Sequence, residues 1–444
     1  MFIILFSNKK VVGTLFCNRG NPTTFMGKSI TSLLKIQGWF KILDLREEKH
    51  TIHLFLKPMR KTAVCPRCLK RTKRGYDEQP ERTILHTTIG EQLLYLHIAP
   101  RRFLCSCTPG RPFVEKLAGV TGRRRSTTRF DTDLLEHLRG QSFKTVESKL
   151  ALSYPALRAR LESAVDPARL KWELLEDLPE IHLGLDGHHL VNKKFVQTVT
   201  EVKARIPLGI LPGTKKSIIL AGLTSCPEQL KEKVKSINVD MDDGTIAIAQ
   251  KVFPNAVIVI DKFHVVMDAN QRLNEARLIE QEVQNQTRGK QGKGRIDIPI
   301  QLMRLAREHL HEWEKEELEN IFKKYPMLKI WYVAKEKLRE IYRAKTREEA
   351  EKQLNSLILI LSVNDDVELI RWGRSLKYYK EKILNYFCYR TTNAYTEGLH
   401  VRCKLVQRLS CGFRNADVYI RKALLMLLPL SVIVSEKLYP QYLS

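Results

Sequence analysis

Three carboxylates occupy positions in this chain where a metal-dependent phosphoryl-transfer site could form. Asp186 follows the apolar run 182–185, Asp261 closes the run 257–260, and Glu397 lies near the start of a predicted helix. Each acid alone is explained more simply by a strand that ends or a helix that begins. Together they predict two neighbouring strand ends and one helix in a mixed α/β domain, on which the three carboxylates converge.

The chemistry of such a site requires acids. Mg²⁺ prefers hard oxygen ligands and keeps some of its waters. Two such ions about 3.5–4 Å apart can activate a water or a 3′-hydroxyl and stabilise the leaving oxygen of an in-line displacement. Crowded carboxylates also repel one another, so the site gains stability with cations. We therefore predict two Mg²⁺ (or Mn²⁺) ions held by Asp186, Asp261 and Glu397.

Basic residues continue the helix face on which Glu397 is predicted to lie. Glu397, Val401, Lys404 and Arg408 follow at spacings of four, three and four residues, and Arg414 comes shortly after. A charge stripe of this kind is usually a solvated helix face. Beside a catalytic acid, the three cations would instead neutralise the phosphates of a DNA strand being cut.

Four of the nine cysteines are clustered. Cys65-Pro-Arg-Cys68 is followed after 36 residues by Cys105-Ser-Cys107. Four thiolates predict a structural Zn²⁺ site, because they leave no open coordination position for chemistry. The alternatives are a redox pair, which would need no second pair of cysteines, and four unrelated thiols. The other five cysteines are scattered, which suits free thiols in a reducing cytosol.

Two short predicted helices follow the cysteines, at residues 143–152 and 155–165. Ser153 between them is a natural N-cap, and the pair matches a helix-turn-helix, with a plain helical hairpin as the alternative. Between residues 101 and 129, eight Arg and Lys residues stand against one acid, which favours DNA binding. The candidate DNA contacts of this region are Arg123, Arg124, Arg125, Arg158 and Arg160.

The length and composition of the chain limit the kinds of fold that could position these residues. The 444 residues exceed the ~250–300 at which one core stops growing, so several domains are expected. The net charge of +26 favours a polyanionic partner. The longest apolar stretch has 12 residues, whereas a spanning helix needs about 20, and no secretory signal is evident. We therefore expect a cytoplasmic, nucleoid-associated protein. Strand-like runs lie at 182–185, 195–202, 217–221 and 257–260, and residues 268–385 are nearly all helix-like.

The order of these motifs resembles the DDE transposases of the bacterial ISL3 insertion-sequence group. The most specific parts are Phe253–Val265, which contains Pro-Asn-Ala and Asp-Lys-Phe-His, and Thr392–Asn415, which contains Glu-Gly-Leu-His and Gly-Phe-Arg-Asn. The resemblance covers residues from about 30 to about 430. The chain departs from the family pattern in the close spacing of Cys105 and Cys107 and in the long stretch 190–220.

The resemblance implies an RNase H-like mixed-sheet core whose Asp, Asp and Glu are Asp186, Asp261 and Glu397. It also implies an all-α insertion between the second Asp and the Glu, and it makes Asp240 and His264 auxiliary site residues. The predicted multidomain α/β fold divides as follows: a loose or non-native N-terminal extension at 1–25, a zinc-binding β module at 26–118, a helix-turn-helix at 119–170, the catalytic core at 171–267 and 386–444, and the helical insertion at 268–385.

The predicted function is that of a DNA transposase. It would bind the terminal inverted repeats of an insertion sequence and catalyse metal-dependent strand cleavage and strand transfer into target DNA. Its partners would be double-stranded DNA and further copies of itself, as a homodimer or larger assembly. The alternatives are a zinc-containing DNA-binding regulator and a catalytically inactive transposase remnant.

Overall fold

A computed structural model describes residues 34, 38–117, 119–120, 125–167, 169–189, 195–288 and 297–433. The predicted extension at 1–25 and the candidate DNA contacts Arg123 and Arg124 lie outside the described residues. The described residues form two compact units, one that ends at Glu136 and one that begins at His137. None of the described helices is long and apolar enough to cross a membrane.

The first unit consists of short strands. They are β1 (Phe40–Glu47), β2 (Thr51–Pro58), β3 (Ala63–Val64), β4 (Arg71–Thr72), β5 (Gly75–Glu78), β6 (Arg82–Ile89), β7 (Gln92–Ile98), β8 (Arg101–Phe103) and β9 (Phe113–Val114). A four-stranded sheet has the order β1-β2-β7-β6, and a three-stranded sheet has the order β5-β8-β9. In β2, Ile52, Leu54 and Leu56 alternate toward the core, as the period of a strand requires. The short apolar runs 52–56 and 93–98 of the sequence form most of β2 and β7.

Three helices follow: α1 (Thr128–Gly140), α2 (Phe143–Leu150) and α3 (Tyr154–Ala164). The Ser142 side chain accepts a hydrogen bond from Thr145 N and so caps α2, which ends at Ala151 in the left-handed region with a φ of 49°. Pro155 lies in the first turn of α3, where its missing N–H costs no hydrogen bond. Both predicted short helices are therefore present, with boundaries one or two residues from those expected.

The second unit contains a five-stranded sheet. Its strands and the helices between them are β10 (Ile181–His189), β11 (Phe195–Glu201), β12 (Ile206–Leu211), α4 (Lys216–Thr224), α5 (Glu228–Lys231), β13 (Val234–Val239), α6 (Asp243–Val252) and β14 (Val257–Ile260). The strand order is β12-β11-β10-β13-β14. The first three strands are antiparallel, and β10, β13 and β14 are parallel.

One predicted strand is wrong. The run 217–221 lies inside helix α4 rather than in the sheet. Its sequence, Ser-Ile-Ile-Leu-Ala, is a short apolar run, and periodicity alone does not separate a buried strand from a buried helix of that length. The third strand of the sheet is instead β12, whose Pro207 lies on the outermost strand, where the missing N–H breaks no internal ladder.

A long helical region separates β14 from the last part of the sheet unit. It comprises α7 (Lys262–Arg288), α8 (Gln301–Arg304), α9 (Glu312–Lys324), α10 (Pro326–Ile341), α11 (Arg347–Ser362), α12 (Val367–Leu384) and α13 (Tyr386–Tyr389). These helices share one apolar core, in which Trp331 and Trp372 stack with ring centroids 5.7 Å apart. The chain then returns to the sheet with α14 (Ala394–Leu409), α15 (Ala416–Leu427) and α16 (Leu430–Ile433).

Helix α14 approaches β10 closely because of one glycine. A Cβ at Gly184 would lie 2.5 Å from Val202 Cγ1 and 2.7 Å from Asn393 Oδ1. Thr200 and Thr396 contact one another here, with their hydroxyl oxygens 2.7 Å apart. Gly184 therefore provides the space that lets the start of α14 lie directly on the sheet.

Candidate functional site

The four clustered cysteines converge in the first unit. Cys65 and Cys68 lie in the turn after β3, where Leu69 N donates a hydrogen bond to Cys65 O, and Cys105 and Cys107 follow β8. The sulfur atoms of Cys65 and Cys107 are 3.6 Å apart, and those of Cys68 and Cys105 are 3.5 Å apart. All four sulfur atoms lie within 4.8 Å of one another.

These separations fit a structural Zn²⁺. Zinc–sulfur bonds of ~2.3 Å in a tetrahedron place the sulfur atoms about 3.8 Å apart. The pKa of Cys65 is lowered to about 6, mainly because Cys68 N–H donates to its sulfur, so this thiol already favours the thiolate that zinc binds. The site would hold zinc entirely with sulfur and leave no position for a substrate.

The carboxylates converge in the second unit, where the parallel strands end. On β10, Leu183 and Leu185 point into the core, so Gly184, Asp186 and His188 point to the opposite face of the strand. Asp240 and Asp261 directly follow the parallel strands β13 and β14, and Glu397 lies in the first turn of α14. Carboxyl ends of adjacent parallel strands meet at one sheet edge, which brings the acids of β13 and β14 toward that of β10.

Two of these acids, together with His264, form a group whose ligand atoms are close enough to bind one metal ion. Ligand atoms of Asp186, His264 and Glu397 all lie within 4.8 Å of one another. His264 Nε2 is 3.7 Å from Asp186 Oδ1 and 2.9 Å from Asp240 Oδ1. Among the described residues, neither Asp240 nor Asp261 is part of the 4.8 Å group; its third member is His264, an auxiliary residue in the sequence prediction.

Burial and mutual repulsion shift the pKa values of these groups. Burial, and then the charge of Asp240, raise the pKa of Asp186 to about 7. Burial also raises the pKa of Asp261 and of Glu397. Burial alone would lower the pKa of His264, but its contact with Asp240 and the nearby acids raise it to about 9. A cation at this position would favour the ionised form of the buried acids and reduce the repulsion between them.

The hydrogen-bond partners of the acids also test whether a divalent metal fits. Asp240 Oδ1 and Glu397 Oε1 are buried and have no hydrogen bond of good geometry within the described residues, although His264 Nε2 lies 2.9 Å from Asp240 Oδ1. A buried carboxylate oxygen without a donor, such as Glu397 Oε1, is costly unless a cation binds it. Oxygen ligands of this kind are those that Mg²⁺ and Mn²⁺ prefer. The donor set therefore fits a divalent metal.

Asp261 has different partners. Its Oδ1 accepts a hydrogen bond from Asn393 N at 2.9 Å, and its Oδ2 accepts one from Phe263 N at 3.2 Å. Asn393 in turn donates its side-chain amide to Leu185 O at 3.1 Å. Asp261 and Asn393 together fasten the start of α14 to the ends of β10 and β14.

A buried chain of polar side chains lies behind Asp186. His400 Nδ1 is 3.6 Å from Asp186 Oδ2, and His400 Nε2 is 3.1 Å from the Thr198 hydroxyl. Thr198 also contacts His188 Nδ1 at 3.3 Å, and His188 Nε2 contacts the Tyr419 hydroxyl at 3.2 Å. Burial lowers the pKa of His400 to about 3, so its imidazole is neutral near pH 7. This chain fixes the side chain of Asp186 from behind.

The predicted DNA contacts are in mixed environments. Lys404, Arg408 and Arg414 are exposed, the first two on α14 beyond Glu397. Arg125 is also exposed. The remaining two contacts, on α3, are half-buried: Arg158 pairs with Glu162 at 2.6 Å, and Arg160 donates to Ala156 O at 3.3 Å.

Sequence reasoning assigned no role to Gly184, Asn393 or His400, although all three lie in motifs that it quoted. A signal was available for two of them. Asn393 precedes Glu397 by four residues and His400 follows it by three, so both share its helix face. Gly184 gives no signal in the sequence, because its role depends on which helix packs against β10.

Comparisons with known proteins match the segments of the chain that contain these residues. Residues 183–423, more than half of the chain, match the DDE transposase family of the ISL3 group, described as a transposase. Residues 61–107 match the zinc-finger of the transposases IS204, IS1001, IS1096 and IS1165. The chain is also similar to the transposase for insertion sequence element IS1001 of Bordetella parapertussis, with 23% identity over 380 residues that cover 84% of this chain and 90% of that protein. The resemblance predicted from the sequence is confirmed: the chain belongs to the ISL3 group of DDE transposases and is a DNA transposase.

Proposed function

We propose that the chain cuts DNA at the terminal inverted repeats of an insertion sequence and joins the new 3′ ends to target DNA at one metal-dependent site. The observation that carries this proposal is the convergence of Asp186, His264 and Glu397, whose ligand atoms lie within 4.8 Å of one another. They come from three different elements, and two are acids with raised pKa values. Acids are crowded in this way where a divalent cation is bound.

We assign the five-stranded sheet and α14 to an RNase H-like core, and the helices between them to an insertion. The mixed sheet, with three antiparallel strands followed by two parallel ones, supports this assignment. The corresponding segments are 171–267 and 386–444 for the core and 268–385 for the insertion. The zinc module at 26–118 and the helix-turn-helix at 119–170 complete the proposed organisation.

The third carboxylate of the metal site is either Asp240 or Asp261. The sequence prediction is Asp261. Both Asp261 oxygens, however, accept backbone N–H bonds, whereas Asp240 Oδ1 accepts none within the described residues and contacts only the His264 ring, with Nε2 at 2.9 Å. We therefore propose that Asp186, Asp240 and Glu397 bind metal, and that Asp261 holds α14 in place.

Two Mg²⁺ or Mn²⁺ ions bound here would activate the attacking oxygen and stabilise the leaving one. Asp186 and Glu397 lie on a strand and on a helix that are fastened together, so they fix the position of the scissile phosphodiester relative to both. His264 contacts both Asp186 and Asp240 and keeps these two carboxylates at a constant separation. Lys404, exposed on α14, would bind a phosphate of the strand being cut.

Recognition of the terminal repeats belongs, in this proposal, to the zinc module and the helix pair α2–α3. Arg158 and Arg160 would contact DNA from α3, after exchange of their intramolecular partners for phosphates or bases. Arg125 would contact the backbone. Because two element ends must be joined to one target, the active form would be a dimer or a larger assembly.

The proposal is tested with a labelled duplex that carries the terminal repeats of the element encoding this chain. The wild-type chain should nick one strand in Mg²⁺ and not in EDTA, and Glu397→Gln should bind the duplex without nicking it. Lys352→Gln, a change of an exposed residue on α11, should nick like the wild type. Nicking by Glu397→Gln at the wild-type rate would refute the assignment. Binding without nicking by the wild type would indicate a regulator or an inactive remnant.

A further inference from the structure

A cleft of about 440 Å³ lies between α14 and the turn that joins β11 to β12. Tyr395, Gly398 and Arg402 line it from α14, at spacings of three and four residues, so they form one face of that helix. At 100° per residue, Glu397 lies on a different face. The cleft is therefore separate from the carboxylate site, although one helix lines both.

The lining of this cleft is cationic. Lys203 and Arg205 contribute from the β11–β12 turn, Arg402 contributes from α14, and no acid among the described residues lines the cleft. All three side chains are exposed, and none has an ion pair to an acid within the described part of the chain. Unpaired cations around a concavity favour an anionic ligand. Since the chain acts on DNA, a DNA phosphate is the anion that this charge fits best.

One further observation points to a ligand in the cleft. Thr391 lines it, is 4% exposed, and has a hydroxyl without a hydrogen-bond partner within the described residues. A bound molecule would supply that partner. Gly398 also opens onto the cleft: a Cβ at this position would meet nothing within 4 Å, so only a large side chain there would fill the space.

The size and the aromatic lining indicate which part of DNA binds. A volume of about 440 Å³ lies in the ~300–1,000 Å³ range of small-molecule sites and is large for a phosphate alone. Tyr395 is half-buried and lines the cleft with Arg205 and Arg402; burial raises its pKa, and the charges of these two cations oppose that rise. An aromatic ring beside cations is the usual platform for an unpaired base and its phosphate.

We propose that this cleft binds one nucleotide of an unpaired DNA strand, with its phosphate between Arg205 and Arg402 and its base against Tyr395. The identity of the polymer rests on the proposed function. The unpaired strand would be one that strand cleavage at the carboxylate site exposes.

The test measures the fluorescence anisotropy of a labelled oligo(dT) in EDTA over a series of salt concentrations, with a blunt duplex of equal length for comparison. The double variant Arg205→Gln/Arg402→Gln should make the slope of log affinity against log salt shallower by about 0.7, because the two cations share one phosphate of a single strand. The matched control is Lys337→Gln/Lys352→Gln, which removes the same charge from exposed positions on α10 and α11.

Three further variants probe the cleft itself. Tyr395→Ala should weaken oligo(dT) binding by at least about fivefold, whereas Tyr395→Phe should retain it. Gly398→Phe should fill the cleft and weaken binding, whereas Gly398→Ala should bind like the wild type. Thermal melting identifies any variant that fails to fold. If Tyr395→Ala or Gly398→Phe does not fold, the double arginine variant still tests the proposal, because both arginines are exposed.

The proposal is overturned if Gly398→Phe or Arg205→Gln/Arg402→Gln binds oligo(dT) with the affinity and the salt slope of the wild type. It is also overturned if the double lysine control loses as much affinity as the double arginine variant. If the cleft variants lose as much affinity for the blunt duplex as for oligo(dT), the preference for an unpaired strand is overturned. Competition by an equal nucleotide concentration of free thymidine monophosphate would indicate a mononucleotide site instead. Because binding is measured without metal, a wild type that binds through the cleft but never nicks its terminal repeats would refute the proposed function alone.

Discussion

Substitution of Asp240 and Asp261 by Asn, one at a time, distinguishes a metal ligand from a structural carboxylate at the same sheet edge. Asn has nearly the volume of Asp and lacks its charge, so neither change creates a cavity. The two positions differ in their partners. Asp261 accepts two backbone N–H bonds, whereas Asp240 Oδ1 is close to His264 alone and has no hydrogen bond of good geometry.

Asp261→Asn should destabilise the protein with or without metal. The Asn amide keeps one oxygen acceptor and turns an NH₂ group toward the second N–H, so either Asn393 N or Phe263 N loses its acceptor. Loss of a hydrogen bond to a charged acceptor costs about 1.5–3 kcal/mol. A melting temperature falls by roughly 2–4 °C per kcal/mol in a domain of 150–250 residues. The expected decrease is therefore several degrees in EDTA.

Asp240→Asn should change the stability in EDTA little. It removes a charge that raises the pKa of Asp186, which is stabilising, and it weakens the contact with His264, which is destabilising. The response to Mg²⁺ should change most. At a concentration of 100 Kd, a ligand stabilises the folded state by about 2.7 kcal/mol, and a hundredfold rise in Kd reduces this to about 0.4 kcal/mol. Loss of one of three carboxylate ligands should raise the Kd for Mg²⁺ by roughly this hundredfold factor.

The assay is thermal melting in EDTA and across a Mg²⁺ titration, together with nicking of the terminal-repeat duplex. Asp240→Asn should melt near the wild-type temperature in EDTA, lose most of the Mg²⁺-induced shift, and fail to nick. Asp261→Asn should melt lower and keep a measurable shift. The reasoning is refuted if Asp261→Asn abolishes the Mg²⁺ shift at wild-type EDTA stability while Asp240→Asn retains both shift and nicking.

Three further predictions concern packing, zinc and pH. Gly184→Ala should destabilise the fold by about 1–3 kcal/mol and impair nicking, because its Cβ would lie 2.5 Å from Val202 Cγ1. Gly187→Ala is the control and should be tolerated, because the nearest atom to its Cβ would be 3.5 Å away. Melting and nicking assays check both variants. Cys65→Ser should release zinc and abolish terminal-repeat specificity, measured by metal analysis and by competition with unrelated DNA; retained specificity would contradict the assignment. In EDTA, the melting temperature of Asp186→Asn should rise relative to that of the wild type as pH rises from about 4 to about 7. The folded wild type holds a proton more tightly at Asp186, with a pKa of about 7, so this stabilisation is lost as pH rises through that value. Buried His400, with a pKa lowered to about 3, has the opposite pH dependence, but it is present in both proteins and cancels from the difference. At His264, with a pKa of about 9, the loss continues to higher pH. A difference between the two melting temperatures that does not change with pH would contradict the reasoning.

Much of the local structure could be predicted from the sequence because its signals are local. The acid at the end of Val257–Ile260 and the strand Phe195–Glu201 follow from short apolar runs with β-branched residues. The helices from Lys262 to Tyr389 follow from apolar residues at spacings of three and four. The error at 217–221 has the same origin, since a short apolar run lacks a distinguishing period.

The choice between Asp240 and Asp261 could not be made from the sequence. Both acids directly follow a strand of the sheet, so their local patterns are alike. What separates them is the backbone N–H of Asn393, a residue 132 positions beyond Asp261. The difference between a ligand and a structural carboxylate is therefore a tertiary property, set by where the chain returns to the sheet after the helical region.

Helix α14 brings the remaining parts of the proposed mechanism together. Its faces carry Asn393, which fastens it to the sheet, Glu397 at the carboxylates, His400 behind Asp186, and Arg402 in the cationic cleft. These functions depend on one rotational setting, because a turn of the helix by one residue, 100°, would remove Glu397 from the metal site. The close packing at the start of the helix fixes that setting. A DNA strand bound in the cleft as proposed would therefore contact the same helix that carries Glu397, so one element would position both the bound strand and the proposed catalytic carboxylate.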